Sequence, residues 1–196
     1  MEINSEAIKL NQIPLGWEYE KLDNFSEITS SKRIYKSDYV SSGIPFYRGG
    51  EITLLKKNQP LAEEYFISPK KFYEIRNKFG APQKGDLLIT AVGTLGNVYY
   101  IPNDDPFYFK DGNLLWLRNI TDVNSRYLYY QLDFQKKMIT GSAIGSTQKA
   151  LTIVKLREIS VPIPSIPEQR AIAEVLSDVD ALIEAQEALI EKKRLI

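Results

Sequence analysis

Residues 161–176 join an extended, proline-rich run to the start of a long helix. Pro162 and Pro164 push the residues before them out of the helical region of backbone space, so this run is predicted to be extended. Ser165 and Glu168 then have the spacing of a capping box, which marks the first turn of a helix. Because neither proline nor glycine follows Glu168, the sequence predicts a compact domain that gives way to one long helix.

The helix that begins near residue 168 is predicted to carry an apolar stripe. Aliphatic side chains recur at alternating steps of three and four residues, while acidic side chains occupy the other faces. A stripe sustained over about four heptads is typical of a helix that pairs with another helix. The alternative is a C-terminal helix that folds back onto its own domain. The side chains predicted to be buried against a partner helix are Ile172, Val175, Leu176, Val179, Leu182, Ile183, Leu189 and Ile190.

The composition excludes several kinds of chemistry. The chain has 196 residues, no cysteine and no histidine. Without cysteine there are no disulfides and no thiolate chemistry, and without histidine there is no Ser-His-Asp triad and little scope for a zinc site. No apolar run approaches about 18 residues and no signal peptide is evident, so a cytoplasmic protein without membrane contact is expected.

A net charge of zero hides an asymmetry along the chain. Residues 1–165 carry 21 basic and 18 acidic side chains, which gives +3, whereas residues 166–196 carry 4 and 7, which gives −3. The globular part is therefore mildly basic and the helix acidic. This surplus gives weak support for nucleic-acid binding, because an ordinary soluble surface has as much.

Short strands and few helices are predicted before the long helix. The apolar run 87–92, a glycine-containing turn at 93–97 and a second run at 98–101 indicate a hairpin. Further expected elements are strands at 17–20, 44–48 and 114–117, helices from Ser68 to about Arg76 and from Arg126 to about Ile139, and loops at 28–40 and 141–149. The pattern predicts an α+β fold, a globular domain with mixed or antiparallel strands followed by a long C-terminal amphipathic coiled-coil helix.

Several motifs suggest enzymes but fail in detail. Residues 141–149 do not have the lysine spacing of a phosphate-binding loop. Residues 105–108 lack the second proline of the adenine methyltransferase motif, and no glycine-rich loop for S-adenosylmethionine follows an N-terminal strand. The available carboxylates, among them Asp86, do not stand in the Glu-x-Lys arrangement of metal-dependent nucleases. The sequence therefore predicts a protein that is not itself an enzyme.

The arrangement as a whole resembles the specificity subunits of type I restriction–modification systems. The most specific part of the likeness is the run from Ile163-Pro164 through Pro167-Glu168-Gln169-Arg170-Ala171-Ile172, followed by the amphipathic helix. The other matching motifs are Pro14-Leu15-Gly16-Trp17 with Lys21-Leu22, Gly43-Ile44-Pro45-Phe46, Lys84 to Ile89 with Gly93-Thr94-Leu95-Gly96, and Gly145 to Leu151.

This resemblance implies a DNA-reading target recognition domain at residues 12–164 and a conserved spacer helix at residues 165–196. A full subunit of the family has two such units, whose helices pair antiparallel and whose domains each read half of a split target. The implied partners are double-stranded DNA, modification (methyltransferase) subunits, restriction subunits, and a second specificity half or a second copy through the helix. S-adenosylmethionine, ATP and magnesium belong to those partner subunits, so no cofactor is implied for this chain.

Loop placement and side-chain chemistry predict which residues contact DNA in such a domain. Lysine and arginine suit phosphates, while tyrosine, threonine, serine and glutamine can reach base edges in the major groove. The candidates for phosphates or bases are Lys32, Arg33, Lys36, Arg48, Arg76, Lys78, Lys110 and Lys149. The candidates for base edges are Tyr35, Tyr47, Thr94, Ser146 and Gln148. Two alternatives stay open: a small metal-dependent DNA nuclease, and a protein-interaction module without DNA binding.

Overall fold

The computed structural model describes residues 13–61, 63–141 and 150–194. Its strands are short, and all but one lie before residue 119. The strands are β1 (Glu18–Lys21), β2 (Glu27–Thr29), β3 (Tyr39–Val40), β4 (Ile44–Tyr47), β5 (Phe66–Ile67), β6 (Leu87–Thr90), β7 (Val98–Tyr100), β8 (Tyr108–Phe109), β9 (Leu114–Arg118) and β10 (Ser160–Ile163).

The helices are short as well, with one exception at the end of the chain. They are α1 (Leu22–Phe25), α2 (Gly49–Lys56), α3 (Pro69–Phe79), α4 (Ser125–Phe134), α5 (Lys136–Gly141), α6 (Ile153–Arg157) and α7 (Ile166–Arg194), with a 3-10 turn at Lys36–Asp38. Within the described parts of the chain, no helix combines the length and the apolar character that crossing a bilayer requires.

The strands form two four-stranded sheets and one two-stranded ribbon. The first sheet has the order β2-β9-β6-β7 and is antiparallel throughout. The second has the order β3-β5-β4-β8, in which β4 and β8 run parallel. The ribbon pairs β1 with β10 and so joins the two ends of the domain. This arrangement confirms the α+β fold with mixed strands, followed by a long C-terminal helix.

Strand β6 is buried on both faces, which explains its continuous apolar run. Side chains alternate between the faces of a strand, so Leu87 and Ile89 enter the main core with Leu117, while Leu88 enters a second core with Trp116. The hairpin expected from the sequence is confirmed, because β6 and β7 pair across the turn at 91–97.

Two local expectations were wrong, and one helix was not predicted. Helix α2 follows β4 and begins at the glycines 49 and 50, where Glu51 accepts hydrogen bonds from the backbone N–H and the guanidinium of Arg48. The helix expected from 126 to 139 is interrupted at Gln135, between α4 and α5. Residues 28–40 are not simply an exposed loop, since they complete β2, form β3 and bury Ile34.

Helix α7 begins at Ile166, close to the start predicted from the sequence. The two side chains of the expected capping box contact each other, with Ser165 Oγ 3.5 Å from Glu168 Oε2. Its first half lies against α4. The extended run before α7 is held to α4 by Tyr127, whose buried hydroxyl donates to the Pro162 carbonyl at 2.7 Å. The junction between domain and helix is therefore packed.

Replacing Tyr127 with phenylalanine should lower the free energy of unfolding by about 1–2 kcal/mol, because the buried Pro162 carbonyl loses its donor while the ring stays in place. Urea unfolding followed by circular dichroism measures the change. Tyr73→Phe is the matched control, since the Tyr73 ring is about half exposed and its hydroxyl has no hydrogen-bond partner among the described residues. Equal stability of the two variants would contradict a role for the Tyr127 bond.

Candidate nucleic-acid interface

The segment 30–38 lies antiparallel along helix α3. At one end, Lys32 Nζ lies 4.7 Å from the centre of the Phe79 ring, and at the other, Lys71 Nζ binds Asp38 Oδ1 at 3.1 Å. Beneath the segment, Ile34 packs in the core that includes the inner face of α3. A segment that looks like a free loop in the sequence is therefore fixed against a helix.

This packing places exposed cations from two distant parts of the sequence on neighbouring elements, and the set is here called the basic ridge. The basic ridge comprises Lys32, Arg33 and Lys36 from the segment and Lys70, Arg76 and Lys78 from α3. Among the described residues, Arg33 forms an ion pair with Asp111 at 2.9 Å, whereas the ridge lysines form none. The hydrogen bond that Arg33 donates to the Asp111 carboxylate raises the pKa of Arg33, whose side chain is still 67% exposed. The ridge cations are therefore available to an anionic partner.

A cleft of about 520 Å³ opens where the basic ridge meets strands β2 and β9. Its lining includes the ridge lysines Lys32 and Lys78, and Arg118 forms part of its wall. The Arg118 guanidinium lies 4.6 Å from the Trp116 ring and donates to the Phe79 carbonyl at 2.7 Å. Arg118 also donates to Glu27 Oε1 at 2.5 Å, a hydrogen bond that lowers the pKa of this carboxyl.

A second set of contacts holds the wall of the cleft in place. Trp116 Nε1 donates to Asp86 Oδ2 at 2.8 Å, and the backbone N–H of Gln83 donates to the same oxygen. Burial raises the pKa of Asp86 despite these bonds. At Gly80 the backbone has φ +85°, a conformation that favours glycine, and a Cβ there would displace Arg118 Nη1, which would lie 2.8 Å away.

The cleft combines two rim lysines with the partly exposed ring of Phe79. Lysines on a surface bind phosphates, and an exposed aromatic ring can make apolar contact with a thymine methyl group in the major groove. Phe79, Trp116 and Arg118 were not predicted as parts of this site. The local sequence holds no signal for them, because Arg118 lies 39 residues from Phe79 and 91 from Glu27.

Two other DNA-contact candidates have structural partners in the domain. Arg48 binds Glu51 at the start of α2, and its guanidinium lies 4.0 Å from the Tyr65 ring. Tyr47 is half-buried, with its ring 5.2 Å from that of Phe107. Both side chains stabilise the fold around α2, and their contact with DNA stays a prediction.

The remaining candidates are spread over several elements. Tyr35 is 62% exposed between Arg33 and Lys36 of the basic ridge, whereas Thr94 is exposed in the β6–β7 turn and Lys110 is half-buried after β8. Of the predicted contacts, Lys32, Arg33, Tyr35 and Lys36 thus lie on the segment and Arg76 and Lys78 on the neighbouring helix α3. Lys32 and Lys78 meet at the cleft. Ser146, Gln148 and Lys149 lie outside the described residues.

The apolar stripe of α7 faces away from the domain. Val175 is 62% exposed and Leu182 is 59% exposed, whereas Ile172 at the start of the stripe is half-buried. The other predicted pairing residues are also exposed, namely Leu176, Val179, Ile183, Leu189 and Ile190. Helix α7 does fold against its own domain, as the alternative expected, but through a different face.

In residues 13–61, 63–141 and 150–194, no group of three or more acidic side chains is placed to hold a metal ion.

Comparison with known families gives a clear assignment. A family model described as the type I restriction modification DNA specificity domain matches residues 14–192. The chain belongs to this family. The match spans both the globular domain and most of α7, which confirms the resemblance seen in the motifs.

Curated relatives agree with this assignment to the specificity family. A type I restriction enzyme specificity subunit of Haemophilus influenzae is 35% identical over 164 residues, which cover 83% of this chain and 40% of the relative. The MjaIX specificity subunit of Methanocaldococcus jannaschii is 28% identical over 205 residues, which cover 97% of this chain and 45% of the relative. The chain therefore spans less than half the length of either relative.

Solved structures of specificity subunits share the fold. The S subunit from M. genitalium superposes with a TM-score of 0.64 at 22% identity, over 99% of this chain and 45% of that chain. The HsdS subunit from Thermoanaerobacter tengcongensis gives a TM-score of 0.65 at 19% identity, over 90% of this chain and 40% of that chain. The α+β domain with its long helix is thus an architecture found in specificity subunits.

Proposed function

We propose that this chain is one DNA-reading unit of a type I restriction–modification specificity subunit. The domain at residues 12–164 would read one half of a split target, and the helix at 165–196 would pair with a second unit. The observation that carries the proposal is the basic ridge, whose lysines have no ion pairs among the described residues and which continues into a cleft with an exposed aromatic ring.

Binding would divide between two kinds of contact. Cations of the basic ridge would bind phosphates and fix the register of the domain on the duplex, while polar and aromatic side chains read base edges in the major groove. Methylation of an adenine requires that the base leave the stack, a step that a modification subunit would perform. The chain itself would be a non-catalytic reader that holds the modification subunits, and through them the restriction subunits, on the target.

Methylome sequencing of cells with and without the gene tests the proposed function. Adenine methylation at a two-part motif should disappear when the gene is deleted and return when it is supplied in trans. A chain that acts only as a protein-interaction module would instead leave every methylated motif unchanged. Failure of the assembled complex to bind any duplex, at low as well as at high salt, would also favour that alternative.

The isolated chain should neither methylate nor cleave DNA. The expected rate of methyl transfer from a labelled donor is the background rate, because the sequence has no methyl-donor motif. The expected rate of plasmid cleavage in magnesium is also the background rate. The complex with modification subunits is the positive control for methyl transfer. Magnesium-dependent cleavage that co-purifies with the chain through successive columns would favour the nuclease alternative.

A further inference from the structure

A buried glutamine joins helix α7 to the domain. Gln169 is only 1% exposed, and both ends of its side-chain amide are bonded to backbone. Its Oε1 accepts from the Asn124 N–H at 2.8 Å, and its Nε2 donates to the Pro164 carbonyl at 2.8 Å. These two backbone groups lie at the start of α4 and at the end of the run that leads into α7. Because a buried amide is costly to leave unpaired, this geometry favours one placement of the helix.

Further contacts continue along the same side of α7. Ala173 is buried, and the Tyr130 hydroxyl lies 2.7 Å from Asp180 Oδ2 and 3.2 Å from Ser177 Oγ. Asn58, just after α2, donates to Glu184 Oε1 at 2.8 Å. The residues of this docking face recur at steps of three and four, as one side of a helix does. The docking face comprises Gln169, Ala173, Ser177, Asp180 and Glu184.

The docking face and the apolar stripe use different sides of α7. At about 100° per residue, the centre of the stripe lies more than a third of a turn from the centre of the docking face. The domain therefore holds the helix without covering the stripe, and its contacts extend over four helical turns from Gln169 to Glu184. Contacts along this length oppose rotation or tilt of the helix relative to the domain.

We propose that Gln169 is a positioning residue that fixes the angle of α7 on the domain, so that this junction, together with helix length, sets the separation of the two half-sites. The link between this junction and the separation of the half-sites rests on the proposed function, whereas the fixed angle does not. About 30 Å of helix separates Gln169 from Leu189 at about 1.5 Å per residue. A tilt of about 10° at the junction moves Leu189 by about 5 Å, which exceeds the roughly 3.4 Å rise of one base pair.

A spin-label distance within one chain tests the fixed angle. Because the sequence has no cysteine, labels can be placed at Glu74→Cys on α3 and Glu187→Cys on α7, both exposed positions. Dilution with unlabelled chain removes distances between copies. The chain with the native junction should give a narrow distribution of distances between the two labels. Gln169→Ala should widen this distribution at least about twofold, because both hydrogen bonds of the side-chain amide are lost. Gln186→Ala is the matched control, an exposed glutamine of the same helix that has no hydrogen bond to the described part of the domain.

Gln169→Glu keeps the acceptor for the Asn124 N–H but cannot donate to the Pro164 carbonyl when ionised, so an intermediate width is expected. If Gln169→Ala fails to fold, Tyr130→Phe replaces it, because it removes the bonds to Asp180 and Ser177 without emptying the buried site. A broad distribution with the native junction, or an unchanged width in every folded variant, would overturn the fixed angle.

Binding of the assembled complex to two-part duplexes tests the second half of the proposal. Duplexes that differ by one base pair in the gap between half-sites should differ in affinity by about tenfold with the native chain, and by less than about threefold with Gln169→Ala. Unchanged discrimination together with a widened distance distribution would overturn the statement on half-sites. Absence of DNA binding by the native complex would count against the proposed function and would leave the fixed angle standing on the spin-label result.

Discussion

A chain with both Val179→Glu and Leu182→Glu should sediment as a monomer at concentrations where the unchanged chain forms a two-fold dimer. Both side chains are about half exposed on the apolar stripe of α7. Burying an aliphatic side chain is worth about 1.5–3 kcal/mol, and a two-fold dimer loses two such side chains in each copy. The loss is then on the order of 6 kcal/mol, which corresponds to about 10⁴-fold in the dissociation constant.

The glutamate variant should keep a folded domain, because the docking face of α7 does not include the stripe. Thermal unfolding of the variant should match that of the native monomer. Ala181→Glu with Ala188→Glu is the matched control, since it adds the same charge to the same helix on a side away from the stripe. This control should remain dimeric. Loss of association in both variants would mean that negative charge alone, rather than the stripe, governs pairing.

Antiparallel pairing also makes a prediction about charge. It brings the basic end Lys192–Arg194 of one copy towards Glu174 and Asp178 of the other, so association should weaken as salt rises. Sedimentation between low and high ionic strength measures this dependence. A native chain that stays monomeric at high micromolar concentration, without a partner subunit, would contradict pairing with a second copy.

Local signals made several elements predictable from the sequence. The β6–β7 hairpin follows from two apolar runs around a glycine turn, and α7 follows from a proline-rich run, a helix start at Ser165 and an unbroken 3.6-residue period. In each case the information lies within about 30 residues of sequence, because the element is specified by its own backbone and periodicity.

Elements that depend on distant partners were not predictable in this way. Strand β2 exists because it pairs with β9, about 90 residues away, and the segment 30–38 is ordered because α3 packs beside it. Helix α2 begins at two glycines, a poor helix signal, and depends on the bonds between Arg48 and Glu51 for its N-terminus. Here tertiary contacts outweigh local preference.

The candidate site shows the same division. Charge and loop placement identified Lys32 and Lys78 separately, but only the packing of the segment on α3 places them in one cleft. The sequence did not indicate the roles of Gln169 and Arg118, because a single glutamine or arginine is ordinarily a surface residue. Burial to 1% exposure at Gln169 distinguishes it from Gln186 on the same helix.

Replacing both Lys32 and Lys78 with alanine should weaken binding to every duplex sequence alike. Each lost phosphate contact lowers the slope of log affinity against log salt by about 0.9, so the double replacement should lower this slope by about two. The same replacement should reduce affinity on the order of 30-fold at 0.15 M salt. Lys57→Ala with Lys21→Ala is the matched control, since both are exposed lysines away from the basic ridge. Titration of labelled duplexes over a range of salt concentrations measures both quantities.

An arginine that reads a base should behave differently from these lysines. Arg76, an exposed arginine of the same helix as the cleft lysine Lys78, is the sharpest comparison. If Arg76 contacts a guanine edge, Arg76→Ala costs about 1–3 kcal/mol on the cognate sequence and relaxes one position of the motif, while non-cognate duplexes lose far less. Because phosphates carry no sequence information, only this position-specific loss distinguishes readout from attraction. An equal loss for Arg76, for the two cleft lysines and for the control lysines would place the DNA away from the basic ridge.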